Sequence, residues 1–129
     1  MLKNEIVIAS KNENKVREIE QILDNTNLKI ASLNSFPHIP DIEETGNTFL
    51  ANARLKAQHY HRILGMPVIA DDSGLVVPAL GGEPGIYSAR YAGAQSDYQA
   101  NNQKLLKNLY GYEVEQREAY FVCVILYLY

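Results

Sequence analysis

The hydrophobic period of this chain alternates between that of a strand and that of a helix, and this alternation constrains the fold more than any other feature. Residues 5–10, "EIVIAS", are apolar and β-branched, as in a buried strand. After the polar turn 11–14, residues 15–23, "KVREIEQIL", put Val16, Ile19, Ile22 and Leu23 on one helical face. A second strand is expected over 28–33 and a Pro- and Gly-containing loop over 36–47. Residues 48–64 form the clearest helix, with Leu50, Ala53, Ala57, Tyr60 and Leu64 at steps of three and four. Asn47 or Thr48 can cap its start, and Gly65 followed by Pro67 ends it. Strands follow at 68–70 and 75–77, then an irregular loop over 78–93. A helix over 96–109, capped by Ser96 or Asp97, and a long strand over 119–129 complete the pattern. Strands alternating with helices imply an α/β sheet.

With 129 residues the chain has the length of one ordinary domain. Its net charge of −3 argues against a general nucleic-acid binder, which needs a basic face. It leaves room for a local basic pocket for one phosphorylated small molecule. No apolar run reaches the roughly 18 residues of a membrane span, and the N-terminal apolar stretch is too short for a signal peptide. The single cysteine, Cys123, lies in an apolar run and is expected to be a buried small hydrophobe. One cysteine forms no internal disulfide, which fits a reducing compartment, so a cytoplasmic location is expected. The chain stops inside its most apolar segment, "AYFVCVILYLY", a hazardous edge unless covered, and it reads as the front part of a longer chain.

Three polar clusters stand at the ends of apolar elements. "SKNENK", residues 10–15, lies between a strand and a helix. Backbone N–H groups and the positive dipole end of a helix suit phosphate there, with Ser10 and Asn12 as donors and Lys15 as a point charge. It lacks the glycines of a Walker loop. In "DIEETGNTF", residues 41–49, Glu43 and Glu44 precede a helix. They are either favourable charges at a helix start or oxygen ligands for a hard cation. In "VIADDSGL", residues 68–75, an apolar strand stops at Asp71 and Asp72. Ligands of open α/β sheets gather beyond the carboxyl ends of strands, and two adjacent carboxylates need cations or donors to offset their repulsion. Alternation along a strand should send the two carboxylates to opposite sides, one structural and one catalytic. Together the clusters suit a cation–phosphate ligand and attack of water on phosphorus. Their spacing does not choose hydrolysis over simple nucleotide binding.

Other groups carry less. His59 and His61 are two apart on a helix and face different directions. Ser73 and Ser88 lack a nucleophile elbow. Tyr87 and Tyr91 either border a base pocket or pack.

The segments "ASKNENKVREI", "EETGNTFLANARLKA", "IADDSGL" and "LGGEPGIYSARYAG" resemble, in order and approximate spacing, the Ham1/RdgB family of non-canonical purine NTP pyrophosphatases. The resemblance runs from Ile6 to about Tyr127. It implies an α/β fold with a long, twisted mixed sheet flanked by helices and a cleft between two lobes, here as one domain over residues 1–129 that is incomplete at its C-terminal end. It implies hydrolysis of ITP, dITP and XTP to monophosphate and pyrophosphate with Mg²⁺, cleansing of the nucleotide pool, and a homodimer. Mn²⁺ also accepts oxygen ligands. By the same resemblance Ser10, Lys11, Asn12, Glu13, Asn14 and Lys15 form the phosphate-binding loop, and Glu43 and Glu44 the metal-binding acidic pair. Asp72 is proton acceptor and metal ligand, Ser73 and Arg90 are substrate contacts, and Asp71 supports them; Arg90 either serves the site or pairs with an acid. The family's later aromatic and "SHR"-like motifs have no counterpart in this sequence. Maf-type nucleotide pyrophosphatases share the architecture, but "SKNENK" departs from their opening motif. A non-catalytic nucleotide-binding fragment is the reading from another class.

Overall fold

The computed structural model describes residues 4–94 and 97–129. Its elements run β1 (Glu5–Ile8), α1 (Glu13–Ile22), β2 (Lys29–Ser32), α2 (Phe49–Leu64), β3 (Val68–Val76), α3 (Tyr98–Asn108) and β4 (Tyr120–Leu128). Short 3₁₀ turns occupy Leu33–Ser35, Pro78–Leu80, Gly85–Arg90 and Val114–Gln116. The strands form one mixed sheet in the order β2-β1-β3-β4. β1 pairs in parallel with β2, Glu5 opposite Lys29, and with β3, Val7 opposite Val68 and Ile8 opposite Ile69. The chain therefore leaves β1 toward one neighbour and returns on its other side, which makes the carboxyl ends of β1 and β3 a topological switch point.

The chain divides into two compact units. Of the described residues, the first comprises 4–71 and 125–129. Its core is Val7, Ala9, Leu33, Ile39, Ala57, Tyr60, Val68 and Ala70, with Phe36, Leu64, Leu126 and Leu128 packed around it. α2 supplies its face as expected at Ala53, Ala57 and Tyr60, whereas Leu50, in the first turn, is exposed. Thr48 caps this helix by accepting from Ala51 N–H, and Gly65 closes it at φ +62°, a left-handed conformation that costs glycine little. α1 buries only Val16 of its expected stripe; Ile22 points to solvent.

The second unit comprises, of the described residues, 72–94 and 97–124. Here α3 organises the loop before it. Buried Asn101 accepts from Ala92 N–H and donates to the carbonyls of Ser88 and Ala89. Asp97 caps α3 through Ala100 N–H, and the alternative cap Ser96 lies outside the described residues.

Two expectations are corrected at β3 and β4. The strand does not stop at the carboxylates: residues 68–76 are one continuous strand, and the segments expected at 68–70 and 75–77 fall at its two ends, with Val77 just beyond it. Asp and Gly are poor strand formers, but pairing within a sheet overrides so weak a preference. Cys123 is exposed, not buried. From Phe121 onward β4 alternates, with Phe121, Cys123, Ile125 and Tyr127 exposed and Val122, Val124, Leu126 and Leu128 half-buried; Tyr120, at its start, is exposed as well. The uniformly apolar composition hid that period of two.

Candidate functional site

The first unit assembles its polar groups just past the carboxyl end of β1. The last paired residues are Ile8 and Ile69, and two residues further on lie Ser10 and Asp71. The intervening Ala9 N–H donates to Ile69 O at 2.8 Å. From Ser10 the chain turns into α1 by its own side chains. Ser10 Oγ accepts from Asn12 N–H at 3.0 Å, and Asn12 Oδ1 accepts from the N–H groups of Asn14 and Lys15. Asn12 is thus the helix N-cap, a role that short polar side chains fill well. Ser10 and Asn12 were expected as donors to phosphate; their oxygens act here as acceptors that shape the loop. Glu13 opens the helix, where its charge suits the dipole.

Three lysines each meet a carboxylate. Lys15 Nζ lies 2.8 Å from Asp71 Oδ2, Lys11 Nζ 2.8 Å from Asp41 Oδ1, and Lys56 Nζ 3.1 Å from Glu44 Oε1. The Lys15–Asp71 pair matters most energetically because Asp71 is only 5% exposed, and a buried carboxylate requires a counter-charge. Lys11 and Asp41 are well exposed, so their pair is solvent-screened. Hydrogen bonding to Asp41, aided by its charge, raises the Lys11 pKa despite opposing desolvation. Beneath this pair, burial raises the Tyr60 pKa, with Asp41 adding to the effect.

Lys56 was not anticipated as a site residue. It lies on α2 four residues after Asn52, which lies four after Thr48, so the three share one helix face. That face holds the acidic segment. Asn52 Oδ1 accepts from Gly46 N–H at 2.7 Å, and Lys56 holds Glu44. The stripe of polar residues at steps of four, Thr48, Asn52 and Lys56, is the sequence signal of this face. Glu43 is exposed, and its carbonyl accepts from Thr45 N–H.

Asp72, Ser73 and Arg90 belong to the second unit. Asp72 is 7% exposed, so both carboxylates of β3 are buried and exposure does not divide them as strand alternation suggested. Ser73 is exposed. Arg90 stands 5.2 Å over the ring of Tyr87, a cation–π contact. Ser88 is fully engaged in holding backbone: its Oγ donates to Gly85 O at 2.6 Å and accepts from Leu75 N–H at 2.9 Å. Tyr91 packs. Its hydroxyl donates to Glu83 and accepts from Asn108, Lys104 covers its ring, and burial raises its pKa.

Neither histidine of α2 is directed to these groups. His59 Nε2 meets Pro40 O and His61 Nδ1 meets Met66 O. Among the described residues no group of three or more His, Cys, Asp or Glu side chains is arranged to hold a metal ion. Among them, also, no helix is long and apolar enough to cross a membrane.

The Ham1 family pattern matches residues 6–129 of the chain. The dITP/XTP pyrophosphatase of Listeria monocytogenes is 52% identical over 122 residues, covering 95% of this chain and 60% of the relative. That of Geobacillus kaustophilus is 53% identical over 121 residues, covering 94% and 59%. Among solved structures, a HAM1 protein from Coxiella burnetii superposes with a TM-score of 0.87 at 42% identity, covering 96% of this chain and 62% of that one. The Staphylococcus aureus Ham1 protein gives 0.83 at 46% identity with the same coverage. The chain thus spans about 60% of the length of the curated relatives it matches.

Proposed function

The chain belongs to the Ham1 family, and we propose that it carries the catalytic front portion of a pyrophosphatase for non-canonical purine nucleoside triphosphates. ITP, dITP and XTP are cleaved to the monophosphate and pyrophosphate, which removes deaminated purines from the nucleotide pool. One observation carries the reading furthest: Lys15, on the first turn of α1, lies against buried Asp71 at the switch point of the sheet. This puts cationic and carboxylate groups side by side where an α/β sheet takes its ligand. The choice of purine follows the relatives, which are named dITP/XTP pyrophosphatases.

By their chemistry alone, the carboxylates assigned to the cation are hard oxygen donors of the kind a divalent ion takes. Glu43, Glu44 and Asp72 offer carboxylate oxygens, and Mg²⁺ commonly takes only one or two protein carboxylates, completing its shell with water and substrate phosphate. A full protein cage of three ligands is therefore not required. These carboxylates would hold the ion, whose chemistry would be to neutralise phosphate charge and make phosphorus more electrophilic. The chain's own residues do the rest. Residues 10–15 grip the phosphates, with Lys11 and Lys15 as charges and the Ser10 and Asn12 side chains as donors. Asp72 accepts the proton of the attacking water at its carboxylate. Ser73 and Arg90 contact substrate, and Asp71 holds Lys15 in place. We place this enzyme in the cytoplasm as a homodimer, with no nucleic-acid or membrane partner.

The test is incubation of the 129-residue chain with ITP and Mg²⁺, beside GTP, with identification of products. IMP and pyrophosphate, with ITP strongly preferred, is the expected result. Release of inorganic phosphate, or equal turnover of GTP, overturns the assignment. Binding of ITP without turnover identifies a nucleotide-binding fragment instead.

A further inference from the structure

Asn52 is completely buried, and its carboxamide has a defined orientation. Gly46 N–H needs an acceptor, so the oxygen faces it at 2.7 Å and the nitrogen points elsewhere. That nitrogen, Nδ2, is buried and has no hydrogen-bond acceptor among the described residues. Buried donors without partners are rare and call for an explanation. Packing does not provide one. For Gly46 alone, an aspartate would be an isosteric and stronger acceptor. What asparagine adds is a donor, on the same side chain whose oxygen holds Gly46, two residues after Glu44. The same helix face holds Glu44 through Lys56 at 3.1 Å.

We propose that Asn52 is a positioning residue with two settings. Without ligand, Oδ1 fixes Gly46 and Lys56 holds Glu44. When a divalent cation with a polyphosphate draws Glu44 away from Lys56, the acidic segment turns an oxygen of its own, carboxylate or backbone carbonyl, to Nδ2. The donor left without an acceptor in one setting is satisfied in the other, which favours the loaded arrangement. This rests on the reading of Glu44 as a cation-binding carboxylate.

The test titrates the preformed complex of Mn²⁺ with inorganic tripolyphosphate against the 129-residue chain, following the water-proton relaxation enhancement of the protein-bound Mn²⁺. Wild type is compared with Glu44→Gln, Asn52→Ala and Asn52→Asp, each with its thermal midpoint measured without ligand. Glu44→Gln is expected to lose about tenfold or more in Mn²⁺ affinity, because the interaction of a charged ligand is removed. Both Asn52 variants are expected to lose about fivefold or more, since neither retains the donor. A clamp serving Gly46 alone predicts otherwise for Asn52→Asp, which keeps the acceptor and adds negative charge. Mn²⁺ affinity in that variant equal to or tighter than wild type overturns the inference and leaves the cation reading standing. Wild-type affinity in Glu44→Gln, or no Mn²⁺ binding by the wild type, overturns both. Should the Asn52 variants fail to fold, nitrogen-resolved NMR of the wild type decides. The Asn52 side-chain NH₂ pair must shift on saturation with Mg²⁺ and tripolyphosphate; an unmoved pair overturns the proposal.

Discussion

Lys15 and Asp71 join the first turn of α1 to the middle of β3 through a 2.8 Å ion pair whose acidic member is nearly buried. The pair resolves the problem of two adjacent carboxylates inside a strand. One of them is neutralised by a helix that starts just after the neighbouring strand. The cation is less buried than the anion, with 32% of its side chain exposed against 7%, so the cost of breaking the pair falls mainly on Asp71.

Replacing Lys15 by Met is therefore expected to destabilise the chain by about 2 kcal/mol, between the values typical of exposed and of fully buried pairs. Asp71→Asn, which removes the charge along with the need for it, is expected to cost less. Urea unfolding of the two variants measures the difference. Equal losses would show that Asp71 is solvated more fully than its exposure indicates.

Gly46 gives a second expectation. A Cβ on this residue would stand 2.7 Å from Asn52 Oδ1 and 2.8 Å from Ala51 Cβ. Both neighbours belong to the first turn of α2, and neither is the loose end of a flexible chain. Gly46→Ala is expected to cost about 1–3 kcal/mol, as overpacking does, and to move the acidic segment with it. Thermal unfolding reads the first effect. Slower turnover at saturating Mg²⁺ reads the second. A variant as stable as wild type would show that the segment is free to yield.

The elements that sequence made plain are those whose signals are local. α2 was readable because a cap, an apolar stripe and a Gly-x-Pro stop agree over residues 48–67. The loop 10–15 stood out because its polar run follows an apolar strand. What stayed hidden depends on partners distant in sequence. Nothing near Asp71 announces Lys15, and nothing near Glu44 announces Lys56. The continuity of β3 through Asp71, Asp72 and Gly74 likewise comes from the surrounding sheet rather than from the propensities of those residues. Ser88, which lacks a nucleophile elbow in sequence, uses its hydroxyl to hold the backbone at Leu75 and Gly85, a role set by partners distant in the chain.

Asp72 provides the direct test of the proposed chemistry. Asp72→Asn keeps the shape of the side chain and removes its capacity to take a proton. Turnover is expected to fall by about 100-fold or more, the scale of general-base catalysis, with the thermal midpoint little changed. Steady-state rates on ITP beside a calorimetric scan measure both. Near-normal turnover would remove Asp72 from the proton-accepting role.

Tyrosine ionisation tests the packing of both units. The chain has nine tyrosines. Burial, reinforced by Asp41, raises the pKa of Tyr60 above its usual 10.0, and burial raises that of Tyr91. In an absorbance titration of tyrosinate these two should ionise above the ordinary tyrosine range. The sign for stability follows from linkage. A group whose folded pKa is raised contributes stability that is complete below its unfolded pKa and is lost as pH rises through the folded value. The Lys11 pKa, raised from 10.5 by its bond to Asp41, acts in the same direction. Stability should therefore decline as pH climbs past about 10, and Tyr60→Phe should make that decline shallower. Chemical unfolding between neutral pH and the alkaline range measures it. An unchanged slope in Tyr60→Phe would mean that the Tyr60 hydroxyl is solvated in the folded chain.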